Sequence, residues 1–269
     1  GGNQAGIANA GNVTIDNNGA ISTSGDNSAA LIAQSIGGGG GSVALTGSPD
    51  PTINPGVNEL GLLAIDTSST NAGNLNVSNT SNLITSGNGS PALLLQSIGG
   101  GGGVVQALNN PEVPSITFGY KKLRGTTLDG ASASAGSIQF TSTGGSTIAT
   151  AGDRSAAAIL QSIGGGGGWA LIDSLTTSIL GSEQTEQATG APITATINGK
   201  LQTTGNTSPG FVVQTIGGGG GFAGDAAGNA YLGGFNLAGS NNVSGSSEAL
   251  MPIACRFGSC EVKIVEQTV

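Results

Sequence analysis

The sequence predicts an all-β chain organised as a solenoid of four imperfect repeats with Gly-rich turns. Three observations carry this expectation. An eight-residue string returns four times along the 269 residues. Short runs alternate apolar residues with Ser, Thr or Asn, the period of a strand with one buried face. No stretch keeps a 3.6-residue period, and the abundance of Gly, Ser, Thr and Asn depresses helix propensity throughout.

The string begins Gln34-Ser35-Ile36 and continues through Gly37 to Gly41. It returns as Gln96-Ser97-Ile98 with Gly99 to Gly103, as Gln161-Ser162-Ile163 with Gly164 to Gly168, and as Gln214-Thr215-Ile216 with Gly217 to Gly221. The Gln residues stand 62, 65 and 53 positions apart. Nine residues before each Gln lies a Gly, namely Gly25, Gly87, Gly152 and Gly205, followed by Asp26, Asn88, Asp153 or Asn206. Ser28, Ser90, Ser155 and Ser208 complete this segment. Gly followed by Asp or Asn is turn chemistry, because Gly tolerates positive φ and the Asx side chain bonds nearby backbone.

Each module starts with a short strand: Val13-Thr14-Ile15, Leu75-Asn76-Val77, Ile138-Gln139-Phe140 or Ile193-Thr194-Ala195. A second strand follows a turn, as in Ala20-Ile21-Ser22-Thr23 and Ser146-Thr147-Ile148-Ala149-Thr150. Behind the Gly-Asx turn come apolar runs, Leu31-Ile32-Ala33, Leu93-Leu94-Leu95, Ala158-Ile159-Leu160 and Phe211-Val212-Val213, which lead into the glycines. The repeats lie around 11–41, 73–103, 136–168 and 191–221, within a repeat region over 1–253. A repeat this long exceeds one ordinary coil of roughly 20–25 residues, so it is expected to span two or three coils. The stretches 47–60, 109–125 and 176–190 differ in sequence and hold most of the prolines, and are expected to leave the scaffold as loops.

The five consecutive glycines lack the Lys and the following helix that a phosphate loop needs. They are read as backbone packed so closely that any Cβ would clash. Gln34, Gln96, Gln161 and Gln214 are expected to be buried amides bonded to the glycine backbone, or an amide ladder if the repeats bring them together.

Composition narrows the function. Fifty-one residues are Gly, aromatics are 3%, and His is absent, which removes Ser-His-Asp triads and His-ligated metal sites. The net charge of −8 has the wrong sign for a nucleic-acid surface, and Lys121, Lys122 and Arg124 read as a solvated tip. No run is long and apolar enough to span a membrane. Asp16 and Asp26 are candidates for a glycoside-cleaving carboxylate pair, but scattered acids that cap turns explain them as well. Gly220 to Asp225 lacks the register of a calcium-binding nonapeptide. Cys255 and Cys260 are read as a local disulfide closing a turn with Gly258, the alternative being two reduced thiols. Together with a strand they make a C-terminal segment over 254–269. The absence of an initiator Met and of a leader suggests a processed piece of something longer. No catalytic residue, metal site or cofactor is expected.

The combination of Gly-[Asp/Asn]-x-Ser, an apolar strand and Gln-[Ser/Thr]-Ile-Gly-Gly-Gly-Gly-Gly resembles the passenger repeats of large Gram-negative autotransporters over roughly residues 1–225. The resemblance implies a right-handed parallel β-helix, secreted through an outer-membrane barrel encoded downstream and displayed at the cell surface. It further implies a non-enzymatic role in adhesion, aggregation or biofilm formation, with a protein or glycan surface ligand as partner. The alternative is a subunit that associates with itself into an extracellular filament. Passengers of this kind usually avoid Cys, so Cys255 and Cys260 depart from the pattern.

Overall fold

The computed structural model describes residues 9–44, 60–65, 70–107, 115–121, 132–172, 177–180, 187–217, 220–225, 230–232, 247–248 and 260–264. These residues form strands and turns and contain no helix. The first repeat contributes β1 (Val13–Asn17), β2 (Ile21–Thr23), β3 (Leu31–Ile36), β4 (Gly40–Ala44) and β5 (Leu60–Ile65). The second contributes β6 (Leu75–Asn79), β7 (Leu83–Thr85), β8 (Leu93–Ile98), β9 (Gly102–Ala107) and β10 (Ser115–Lys121). In the third, β11 (Ser132–Ser134) precedes β12 (Ile138–Ser142), β13 (Thr147–Thr150), β14 (Ala158–Ile163), β15 (Gly167–Ile172) and β16 (Thr177–Leu180). The fourth holds β17 (Gln187–Thr189), β18 (Ile193–Ile197), β19 (Lys200–Thr203), β20 (Phe211–Ile216) and β21 (Gly220–Asp225). Three short strands follow: β22 (Ala230–Leu232), β23 (Ser247–Glu248) and β24 (Cys260–Ile264).

Each strand of a repeat pairs in parallel with its counterpart in the next repeat. The stacks run β1-β6-β12-β18, β2-β7-β13-β19, β3-β8-β14-β20 and β4-β9-β15-β21. Register follows the sequence repeat residue by residue, so Gln34 stands opposite Gln96, Gln96 opposite Gln161, and Gln161 opposite Gln214. One repeat is therefore one layer, and the expectation of two or three coils per repeat is corrected. The repeat is long because each layer encloses two apolar compartments. Leu75, Val77, Leu83, Leu93, Leu95, Phe140 and Ile148 fill the first, among the sheets of β1, β2 and β3. Leu94, Val104, Ile159, Trp169, Leu171 and Val212 fill the second, between the sheets of β3 and β4.

This arrangement accounts for two sequence patterns. The sheet containing β6 and β12 buries one face, and its burial alternates strictly along each strand. The sheet containing β8 and β14 lies between the compartments and is buried at every position, so its strands read as continuous apolar runs. The stretches expected to leave as loops also contribute to the stack. β10 and β16 lie within 109–125 and 176–190, β5 starts at the end of 47–60, and the three form a parallel three-stranded sheet; β11 pairs with β17 just ahead of the third and fourth modules. Unequal lengths between the strands leave this pairing without a fixed period in the sequence.

Beyond the fourth layer the chain reverses. β24 pairs antiparallel with β18, β23 with β20, and β22 with β21. The backbone of 260–264 thus extends the first sheet. The expected Cys255–Cys260 bridge falls outside the described residues, since Cys255 is not among them.

The glycines set the approach of one layer to the next. A Cβ on Gly152 would lie 2.0 Å from the carbonyl oxygen of Gly87, and one on Gly168 would lie 2.0 Å from that of Gly103. Gly167 and Gly168 also have φ of 147° and 149°, an extended region that L side chains rarely enter. By contrast, a Cβ on Gly210 meets nothing within 4 Å. Gly152→Ala is accordingly expected to cost about 3 kcal/mol through overpacking against backbone, whereas Gly210→Ala stays within about 0.5 kcal/mol. Thermal unfolding followed by circular dichroism compares the two; equal effects would remove the close-approach explanation.

Candidate functional site: the ladders between layers

The repeated polar side chains do not converge on a cleft. They run as ladders along the stack. In the first, Gln34 Nε2 donates to Gln96 Oε1 at 2.7 Å, Gln96 to Gln161 at 2.7 Å, and Gln161 to Gln214 at 2.6 Å. Each Nε2 also donates to a glycine carbonyl seven residues on, at Gly41, Gly103, Gly168 or Gly221, over 3.1–3.4 Å. Gln96 and Gln161 are fully buried. An amide has two donors and a carbonyl acceptor, so it can satisfy a neighbour above and its own glycine arch at once.

The serines of the Gly-Asx turn form a second ladder. Ser90 Oγ accepts the N–H of Ser28 at 2.9 Å and donates to Gly25 O at 3.0 Å. Ser155 and Ser208 repeat both contacts one layer further on. Beside them the Asx carbonyl or carboxylate oxygens accept from the next layer, Asn88 N–H to Asp26, Asp153 N–H to Asn88, and Asn206 N–H to Asp153. The positive φ expected at the leading glycine falls instead two residues later, at Asn27 (56°), Gly89 (61°), Arg154 (56°) and Thr207 (51°). What demands Gly at 87, 152 and 205 is contact: a Cβ there would sit 2.0 Å from the carbonyl oxygen of the preceding layer's glycine.

Two further ladders were not assigned roles from sequence. Ser35 Oγ donates to Gly11 O and accepts Gly73 N–H, both at 2.8 Å. Ser97 and Ser162 repeat this bridge, and Thr215 donates to Ala191 O. The hydroxyls of Thr23, Thr85 and Thr150 donate to the carbonyls of Ser28, Ser90 and Ser155 at 2.5–2.6 Å. Their signal was present as a Thr two residues before each turn glycine.

The ladders have defects. Asn17 Nδ2 donates to Asn79 Oδ1 at 2.7 Å, but the third layer places Ser142 in that register and the fourth Ile197. Ser142 Oγ is buried with no hydrogen-bond partner among the described residues, and so is Trp169 Nε1. Trp169 is held by apolar contact, stacked on Phe222 at 4.1 Å between ring centroids.

Asp16 and Asp26 are not brought to shared work. Asp16 accepts the hydroxyl of Ser78 at 2.7 Å, and Asp26 accepts the N–H of Asn88. Gly220–Asp225 is a strand, β21, paired with β15, and does not form a loop around an ion. Among the described residues, no three of His, Cys, Asp and Glu gather closely enough to hold a metal. The outward face of the first sheet carries rows of polar, mostly uncharged side chains, with Thr14, Asn76, Gln139 and Thr194 in register. Comparison with protein-family models, with curated proteins and with solved structures finds no match to this chain.

Replacing Gln161 by Glu tests the amide ladder. An ionised carboxylate there would face Gln214 Oε1 and Gly168 O, two acceptors, without a proton to give. Burial beside oxygens raises the carboxyl's folded-state pKa above its unfolded value of about 4.3. The variant's stability is then greatest below that unfolded value and falls as pH rises through the folded pKa. Urea unfolding at pH 4 and pH 7 is expected to show a loss at pH 7 several-fold larger than at pH 4, while Gln161 itself shows no such dependence. A pH-independent deficit would contradict the ladder.

Proposed function

We propose that this chain is a right-handed parallel β-helix displayed at the outer surface of a Gram-negative bacterium. In this reading it serves as a non-enzymatic autotransporter passenger in adhesion, aggregation or biofilm formation. The observation that carries the proposal is how the repeated side chains are used. Hydroxyls, amides and glycines that recur in every repeat are spent on bonding one layer to the next, as in a stalk whose task is mechanical. Binding to a protein or glycan ligand then belongs to the non-repeated segments 47–60, 109–125 and 176–190, whose sequences vary while the scaffold stays constant. Membrane attachment, on the family resemblance, comes through a barrel and not through this segment.

A filament built by end-to-end stacking is the other reading. The antiparallel strands β22, β23 and β24 lie across the fourth layer and weaken it, because they occupy edges a following subunit would need.

Displaying the chain through an outer-membrane anchor on a non-adherent bacterium tests the proposal. Surface attachment and autoaggregation are expected to exceed those of the anchor alone. Replacing residues 47–59 by a short Gly-Ser linker is expected to lower attachment without shifting the melting temperature. Cells indistinguishable from the anchor control, together with depolymerisation of polysaccharide, would overturn it. Uniform filaments in electron micrographs of the purified chain would transfer the function to polymer formation.

A further inference from the structure

We infer that the first layer is a docking face for one more layer of the same kind, placed ahead of Asn9 in the same polypeptide. The inference rests on the stacking alone and is independent of the adhesive reading.

In later layers three glycines are required by the layer beneath. A Cβ on Gly73 would lie 2.3 Å from Gly11 O, one on Gly87 would lie 2.0 Å from Gly25 O, and one on Gly103 would lie 1.9 Å from Gly41 O. The first layer carries glycine at the same three positions: a Cβ on Gly25 would meet Ser28 Oγ at 2.9 Å and Gly41 has a φ of 142° that favours glycine by itself, but Gly11 meets nothing within 4 Å and has no local need for glycine. The first layer thus has the shape of a layer with something under it.

The rest of that face agrees. β1, β2, β3 and β4 are edge strands, and nothing among the described residues pairs with their free side. Val13, Ile15, Ile21 and Leu31 are only partly buried, whereas their counterparts Leu75, Val77, Leu83 and Leu93 are fully buried. Ile32 is 40% exposed, against 0% for Leu94 and Ile159 in the same register. The amide ladder has a direction, each Nε2 donating to the next layer's Oε1, and Gln34 Oε1 stands at its start with no amide from a described residue.

These features select the occupant. The Gln, Asx and turn-Ser ladders each join a side chain to the equivalent residue of a parallel neighbour, so the occupant runs parallel and carries Gln and Gly in register. A second copy fits poorly. Its fourth layer is crossed by antiparallel β22, β23 and β24, and two first layers face to face would pair antiparallel and break the side-chain register.

The test adds that layer to the full chain by inserting a second copy of residues 71–133 directly ahead of Asn9. Amide exchange in β3 is expected to slow by at least about tenfold relative to the 269-residue chain. Gly11→Ala is expected to lower the melting temperature of the extended chain by about 5 °C or more, and to leave the 269-residue chain within about 1 °C. An added segment that exchanges freely, an extended chain that no longer folds, or a Gly11→Ala effect equal in both chains would each overturn the inference. Two results with the 269-residue chain alone would do the same. One is full protection of β3 in the monomer, which would mean its own residues cover the face. The other is protection that rises with concentration alongside dimer formation in sedimentation, which would make a second copy the occupant.

Discussion

The structure depends on one steric constraint: successive layers come together with a carbonyl oxygen where a side chain's first carbon would otherwise be. At Gly87, Gly152 and Gly205 that oxygen lies 2.0 Å from the Cβ position, and at the Gly40, Gly102 and Gly103 sites it lies 1.9 Å away. Parallel strands one layer apart have a fixed spacing of about 4.8 Å. Turns and arches ordinarily relax away from that spacing because side chains push them apart. Here they hold it, since the glycines remove the obstacle at the turn and at the arch alike. Every other between-layer bond, from the Ser Oγ bridges to the Gln amides, needs the turns to stay in step with the strands.

Given that spacing, polar groups can be buried without penalty. A fully buried Gln or Ser stabilises only if it is hydrogen-bonded. Gln161 meets the requirement with Gln96, Gln214 and Gly168, and Ser155 meets it with Ser90, Ser208 and Gly87. The ladders therefore specify register: a slip of one residue would take each of these groups off its partner in the neighbouring layer. Ser142 illustrates the cost, because the Asn17–Asn79 row departs from Asn at Ser142 and Ile197 and leaves the buried Ser142 hydroxyl without a partner among the described residues. The recurring hydroxyls and amides are thus engaged between layers.

Much of this architecture was legible in the residues. The recurrence of Gln-[Ser/Thr]-Ile-Gly-Gly-Gly-Gly-Gly revealed the repeat, and the alternating runs revealed strands. The physical role of the turn glycine was misassigned, because a Gly-Asx pair looks the same whether Gly is needed for its φ or for its lack of a Cβ; only the neighbouring layer distinguishes them. Layer length misled for a similar reason. A 62-residue repeat can wind several times around one core or once around two, and periodicity along a chain carries no information on which. The strand pairing of β5, β10 and β16 was hidden by insertions of unequal length, and the Thr23, Thr85 and Thr150 bonds were overlooked although their spacing is regular.

The central claim is that one repeat makes one layer, and a distance across several repeats tests it most directly. Nitroxide labels at Thr14 and Thr194, in register on the outer face of the first sheet and three layers apart, are introduced through non-canonical amino acids so that both cysteines stay native. Pulsed dipolar spectroscopy is expected to give a separation of about 15 Å, three strand spacings. A separation of about 30 Å or more would mean two or more coils per repeat, and would contradict the layered arrangement together with the ladders that depend on it.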